Sequence, residues 1–411
     1  MNLRQAEEYL LDLELFGMRF GLDRMHKLMT VLGMPQRRFA SIHVVGTNGK
    51  SSTVRFIAGI LERHGIRTGS YTSPHLVSFT ERIEVGEEPV PDADFAAAVT
   101  RAAHAAELVN RTQEPGDTVT QFEALTAAAY HELARRGVEV AVVEAGLGGR
   151  YDATSVIPSK VQVLTGVGLE HTRWLGPTIA DIAEEKLAVV RDQGVLVTGE
   201  LHPDAEAVAE RVAAERHARR VRARPAGDYP LAARGLFQRA NFALARAAAE
   251  AFLGELDESA VRRAAGEVSV PGRMQVVAER PLTVLDGAHN PAGARAVAEA
   301  LPELIDGRRA VGVMGVLDDK DAAGMLAALL PLFDHVVFTR SSNPRSLSPG
   351  TLESLAAKLG GPASETVGDP RGALARALEL AGPDGAVLAT GSIYLIADLV
   401  RVERAARAST L

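Results

Sequence analysis

The chain has no cysteine. That excludes disulfides, a thiolate nucleophile and zinc held by sulfur. No run of about 18 uncharged apolar residues occurs, so no membrane-spanning helix is expected. A basic surplus is also missing: 45 Lys and Arg face 52 Asp and Glu, a net charge of -7. Phosphate neutralisation needs a basic face, so nucleic acid is not the expected main partner. The first fifteen residues carry Glu7, Glu8, Asp12 and Glu14, which is unlike a secretory signal. Together these absences predict a cytoplasmic protein without a membrane partner. Lysine is scarce as well. Of the 45 basic residues six are lysine (Lys27, Lys50, Lys160, Lys186, Lys320 and Lys358), which leaves 39 arginines. A lysine kept in so arginine-rich a chain points to a place that needs a primary amine. Skewed codon usage explains the excess of arginine equally well, but it leaves the position of each lysine unexplained.

What is present is an ordinary globular mixture, 46% apolar and 24% charged, over 411 residues. That length exceeds one core and predicts two or three domains. Apolar β-branched runs (Ser41–Val45, Val138–Glu144, Val161–Gly166, Gly194–Thr198, Met274–Val277, Leu282–Leu285, Ala310–Met314, His335–Thr339, Ala386–Ala389) alternate with helical patterns such as Thr53–His64, Phe122–Arg136, Ile179–Val190, Gln238–Phe252, Ala292–Leu301 and Ala322–Leu330. Alternation of this kind implies parallel α/β sheets covered on both faces. The expected architecture is a P-loop NTPase-like parallel-sheet ATPase domain followed by a smaller Rossmann-like α/β domain. The punctuating Ser269-Val-Pro-Gly-Arg273 suggests boundaries of 1–271, a linker over 272–280 and a second domain over 281–411. The Arg/Ala/Glu-rich stretch Glu200–Pro230 reads as a surface helix and strand with a loop.

The strand Ile42–Val45 runs into Gly46-Thr-Asn-Gly-Lys-Ser-Ser52 and then into a helical pattern. Glycines 46 and 49 let backbone N–H groups converge on phosphate oxygens, the helix N-terminus adds partial positive charge, and Lys50 reaches the terminal phosphates. Ser51 or Ser52 can ligate Mg²⁺. The loop is shorter than the common pattern with four residues between its glycines. It implies a nucleoside triphosphate and leaves the reaction open. Glu144 ends an apolar strand, where a carboxylate points into the ligand crevice of a parallel sheet and suits Mg²⁺. His171 follows another strand end, Lys186 lies on a helix about fifteen residues later, and Ser73 sits in Tyr71-Thr-Ser-Pro-His-Leu76. Taken singly, each has a plain structural reading: a turn histidine, a solvated Glu-Glu-Lys face, a tight glycine turn after Glu144.

Taken together the strings resemble one family. Gly46–Ser52, Ser73-Pro-His-Leu76 with Glu81-Arg-Ile83, Thr120-Gln-Phe-Glu123, Glu144-Ala-Gly-Leu-Gly-Gly-Arg-Tyr-Asp-Ala-Thr154, Leu169-Glu-His-Thr172, Glu185-Lys186, Pro271-Gly-Arg273 and Asp286-Gly-Ala-His-Asn-Pro291 stand in the order of folylpolyglutamate synthase/dihydrofolate synthase, of the Mur ligase superfamily. The likeness runs from Gly21 to Ser392. It implies ATP-dependent amide formation between a pteroate or folate carboxylate and the amine of L-glutamate, through an acyl phosphate. Carried onto this chain, it implies that Gly46, Thr47, Asn48, Gly49, Lys50, Ser51 and Ser52 hold the ATP phosphates. Asn241 would lie near the base, Asp286 near the ribose and Arg273 near the phosphates. Ser73, Glu144 and His171 would ligate Mg²⁺ at two sites, with Lys50, His171 and Lys186 catalytic. Thr120, Gln121, Phe122 and Glu123, with Arg150 and Asp152, would face the pterin-bearing substrate. Lys186 corresponds to a lysine that is N-carboxylated in the family. Arginine could not replace it, because a guanidinium stays protonated.

Three departures stand out. Glu170 replaces the family's usual Asp, Ser51 replaces a common Gly, and Glu14–Arg19 lacks a His-Ser/Thr-Lys stretch found in bifunctional relatives. A Mur ligase of cell-wall synthesis is the first alternative. It would carry a UDP-sugar domain ahead of the first strand, and only 40 residues stand there. A P-loop switch is the second, and it would need no second substrate pocket. A catalytically silent folate-binding protein is the third, and it would have no use for Lys50, Glu144, His171 and Lys186. The resemblance implies a monomer, with the glutamate site near Asp318–Asp321 or Ser341–Ser346.

Overall fold

The structure, a computed structural model, describes residues 1–13 and 21–401; the Glu14–Arg19 departure lies outside the described residues. The apolar runs form two sheets. The first comprises β1 (Ala40–Val45), β2 (Thr68–Tyr71), β3 (Ile83–Val85), β4 (Glu88–Pro89), β5 (Val140–Glu144), β6 (Val161–Leu164), β7 (Val195–Thr198) and β8 (Arg219–Arg222), in the order β4-β3-β2-β5-β1-β6-β7-β8. The second comprises β9 (Gln275–Glu279), β10 (Leu282–Leu285), β11 (Ala310–Met314), β12 (His335–Phe338), β13 (Ala363–Thr366) and β14 (Ala386–Thr390), in the order β13-β12-β11-β14-β10-β9.

Both sheets are mostly parallel, with antiparallel edges that the alternation of strands and helices did not reveal. β3 runs against β2, β4 against β3, and β9 against β10. These strands are short or half-exposed, so they carry little of the apolar signal that marks a central strand. Residues 275–279, inside the stretch expected as a linker, are β9, the outer strand of the second sheet. Helix Pro203–Glu215 and β8 fill the Arg/Ala/Glu-rich stretch as expected.

β1 is central, flanked by β5 and β6. Ile42 and Val44 face the helices Lys50–Arg63 and Leu236–Leu253, whose Phe56 and Phe242 meet edge to face at 5.3 Å. Each of these fully buried rings contributes roughly 1.5–3 kcal/mol by burial. The other face is covered by helices Asp92–Asn110 and Gln121–Arg135 around Tyr71 and Tyr130. Because the strands are parallel, the turns after β1, β5 and β6 open along one edge, and the turns after β10, β11 and β14 do so in the second sheet.

Candidate active site

Gly46 and Gly49 have φ of +149° and +83°. Nothing larger fits at either position. A first side-chain carbon would come within 2.0 Å of Thr165 Oγ1 at Gly46 and 2.3 Å of Asn241 Oδ1 at Gly49. Gly49 is also the N-cap of helix Lys50–Arg63 and has no side chain to accept the first N–H groups. Those donors therefore stay available to an anion. The loop is laced to the turn after β6: Thr47 N donates to Gly166 O (2.9 Å), Thr165 Oγ1 to Asn48 O (2.6 Å) and Gly168 N to Thr47 Oγ1 (3.0 Å). Lys50 Nζ folds back onto Thr47 O at 3.1 Å. Ser52 is buried on the inner face of the helix.

Beneath the loop lies Glu144, 2% exposed. Its Oε1 accepts from Ser51 Oγ (3.0 Å) and its Oε2 from Ser73 N (3.1 Å). Burial raises its pKa, and Lys50, the Ser73 amide, the Ser51 hydroxyl and Arg273 pull it down. Arg273 also opposes the burial-driven rise of Asp286, so it bears on one carboxylate from each sheet. Among the described residues, no three of His, Cys, Asp and Glu gather into a metal cage. One buried carboxylate with hydroxyls around it is still a fitting seat for Mg²⁺, which takes one or two carboxylates and completes its shell with substrate phosphates and water. The donors present favour Ser51 over Ser52 at that seat.

His171 has φ +52° and opens the short helix Thr172–Leu175. Burial depresses its pKa to about 4, opposed by Glu170, so its imidazole is neutral and able to ligate. Trp174, the one tryptophan in the chain, sits on that same turn with the Arg173 guanidinium 5.3 Å from its ring centre. Lys186 is 2% exposed, against the solvated face its neighbours suggested. Its Nζ donates to Leu147 O at 2.7 Å. Burial, then Lys50, lowers its pKa to about 7, while Glu170 and Asp152 oppose the fall. Lys50 thus acts electrostatically on Glu144, His171 and Lys186, which brings these four residues into one neighbourhood.

The second lobe closes the site. Glu170 Oε1 lies 3.3 Å from both Lys320 Nζ and His289 Nε2, and 3.9 Å from His171 Nε2. Against burial, the hydrogen bond from His289 and the nearby Lys320 hold Glu170 far below the usual carboxylate range. Asn290 donates to Glu170 Oε2 (3.3 Å) and exchanges two amide hydrogen bonds with Asn48 of the phosphate loop (3.0 and 3.3 Å). Both oxygens of Asp286 accept main-chain N–H groups, from Met274 (2.8 Å) and Ala288 (2.7 Å). The two candidate glutamate segments adjoin: Asp318 N donates to Arg345 O (2.8 Å), Asp319 pairs with Arg345 (3.3 Å) and with Lys320 (3.6 Å), and Ser341 and Ser346 share a hydrogen bond (2.6 Å).

The remaining candidates are placed differently. Asn241 lies against Gly49 and bonds Gln238 (2.9 Å). Thr120 caps helix Gln121–Arg135, and Gln121 Nε2 donates to Leu10 O (2.7 Å). Phe122 stacks on Tyr71 at 6.2 Å. Glu123 is buried against Arg24, which also reaches Asp117 at 2.6 Å. A cavity of about 330 Å³ opens beside that group. Arg150 is exposed near Glu185 (3.6 Å). Asp152 turns inward: Oδ1 accepts from Thr154 N (3.0 Å) and Thr154 Oγ1 (2.5 Å), and Oδ2 from Gly148 N (2.9 Å). His289 and Asn290, in Asp286–Pro291, are site residues that the sequence pattern alone does not single out. The clue was the Asn-Pro pair, which signals a helix start, here Pro291–Ile305, directed at another element.

Residues 272–393 match the family model described as Mur ligase, glutamate ligase domain. The chain is 37% identical over 381 residues to the dihydrofolate synthase/folylpolyglutamate synthase of Mycobacterium tuberculosis, covering 83% of this chain and 78% of the relative. It is similar to the structure of Mycobacterium tuberculosis folylpolyglutamate synthase complexed with ADP, with a TM-score of 0.90, 35% identity and 97% of each chain covered. It is also similar to the bifunctional folylpolyglutamate synthase/dihydrofolate synthase of Yersinia pestis complexed with AMPPNP and a Mn ion, with a TM-score of 0.86, 30% identity and 97% of each chain covered.

Proposed function

The chain belongs to the folylpolyglutamate synthase/dihydrofolate synthase family of Mur ligases, ATP-dependent glutamate ligases, and we propose that its site between the lobes joins L-glutamate to a folate carboxylate. The observation that carries this reading is the phosphate loop resting on the buried Glu144 while Asn48 is bonded to Asn290 of the glutamate ligase domain. A nucleotide held there has its phosphates against the lobe that supplies the amine.

A carboxylate is a poor acyl donor, and phosphoryl transfer makes it a good one. That transfer needs positioning and charge neutralisation more than covalent help. The open N–H groups of helix Lys50–Arg63 and the Lys50 ammonium hold the β- and γ-phosphates in line with the substrate carboxylate. Glu144, with Ser51, Ser73 and the neutral His171, would hold Mg²⁺, which when bound neutralises charge on the transferring group. Arg273 adds positive charge beside the same carboxylate. Asn241 and Asp286 bound the nucleotide on its base and ribose side. Glu170 keeps Lys320 and His289 facing the gap. The glutamate amine, seated by the Asp318–Asp321 and Ser341–Ser346 turns, then attacks the acyl phosphate and phosphate leaves. The buried amine of Lys186 suits CO₂ addition, which would turn a cation into an anion beside the metal seat. Phe122 and the loop carrying Arg150 and Asp152 form the wall on the pterin side.

The test is phosphate release from ATP with and without L-glutamate, run separately with a reduced folate and with dihydropteroate. Glutamate-dependent release with the folate is expected. Release with dihydropteroate as well would add dihydrofolate synthase activity, and release with neither would defeat the reading.

A further inference from the structure

His43 sits at the middle of β1, completely buried, in register with Val143 and Gln162 on the neighbouring strands. An imidazole here needs a reason, because burying a polar group without a partner costs several kcal/mol. It has one partner: Nε2 lies 2.8 Å from Thr154 Oγ1. The hydroxyl proton of Thr154 is committed to Asp152 Oδ1, which can only accept. The proton between His43 and Thr154 therefore belongs to the ring, which fixes the Nε2–H tautomer. Nδ1, with no partner, then carries a bare lone pair. Burial pushes the ring's pKa down to about 4, so it is neutral when the enzyme works.

The chain of bonds continues. The other oxygen of Asp152 holds Gly148 N, and the next carbonyl back, that of Leu147, accepts the Lys186 amine. Three residues beyond His43, the same strand enters the phosphate loop at Gly46. We propose that His43 is a positioning residue that, through Thr154 and Asp152, fixes the 146–149 turn and thereby sets the Lys186 amine relative to the bound phosphates. His43 touches no reacting atom. Its effect passes entirely through the orientation of one hydroxyl, and the kinetic part of this inference rests on the function proposed above.

Four variants test it. His43→Leu cuts the bond from the ring to Thr154, and Thr154→Val cuts both bonds of the hydroxyl, whereas His43→Gln and Thr154→Ser keep a donor or hydroxyl in place. Losing a supporting hydrogen bond of this kind typically costs about 10–100-fold. His43→Leu and Thr154→Val should speed amide hydrogen exchange across residues 146–149 by about tenfold and lower kcat by a similar factor. KM for ATP should stay within about twofold, since the loop keeps its own bonds. His43→Gln and Thr154→Ser should restore both exchange and kcat. In the parent protein, ring ¹⁵N shifts should report the neutral Nε2–H form, a measurement that needs no variant to fold. An Nδ1–H form, or parent-like exchange and kcat in His43→Leu, would overturn the proposal, as would equal losses in His43→Gln and His43→Leu. Exchange and tautomer do not depend on turnover. A parent enzyme without glutamate-dependent phosphate release would sink the function and leave this chain of bonds standing.

Discussion

Lys186 offers the sharpest test of how burial serves the chemistry. An ordinary lysine with a pKa near 10.4 is neutral in roughly one molecule in 2,500 at pH 7. With its pKa lowered to about 7, about half of the Lys186 amines are neutral at that pH, a gain of roughly a thousandfold in the form that adds CO₂. The sign follows directly: a depressed lysine loses its proton as pH rises through about 7. The neutral fraction should climb from about one tenth at pH 6 to about nine tenths at pH 8. At constant dissolved CO₂, the rate of carbamate formation should rise about tenfold over that window, read as the ¹³C signal that grows after adding labelled bicarbonate. Turnover in CO₂-depleted buffer should be low and should recover on the same time course. Lys186→Arg should fold, show no carbamate signal and lose about a hundredfold or more in kcat, because a guanidinium stays protonated. Normal turnover of that variant without CO₂, or label uptake that is flat from pH 6 to pH 8, would refute the reasoning.

Two further outcomes are expected. Glu123→Ala removes a buried carboxylate from Arg24, which keeps Asp117, and should lower stability by about 1–3 kcal/mol, read as a fall in the denaturant midpoint; an unchanged midpoint would mean that the pair contributes nothing. Glu170→Gln keeps the size and the bond from Asn290 but loses the charge facing His289 and Lys320. It should raise KM for glutamate about tenfold, or about 1.4 kcal/mol, with ADP affinity within about twofold, and an unchanged KM would show that the Glu170 charge plays no part in binding glutamate.

Much of this was legible in the residues. The phosphate loop, Glu144 and His171 announced themselves because strand ends and glycine turns are local signals, and the structure gathers them around Lys50. Most central strands were read from apolar runs, and β9 from Met274–Val277, whereas β3, β4 and β13 escaped because short strands at or beside a sheet edge carry little apolar signal. Lys186 looked like a solvated lysine beside two glutamates; its burial comes from the turn after β5, more than thirty residues away in sequence. The bonds of Asp152 to Gly148 and Thr154 were not legible, because they depend on how the loop folds back. Glu170 and Asn290 could not be joined by inspection, since they lie 120 residues apart and on different sheets. His43 was visible only as one imidazole in an apolar strand.

The solitary indole on the turn that His171 opens gives the enzyme an internal light source. No second tryptophan contributes background emission, and the guanidinium stacked beside the ring at 5.3 Å makes that emission responsive to small displacements. Under the proposed function, binding of nucleotide and metal beside His171 should change that emission, so it can be followed in the native chain with no label attached, on the same sample used for kinetics.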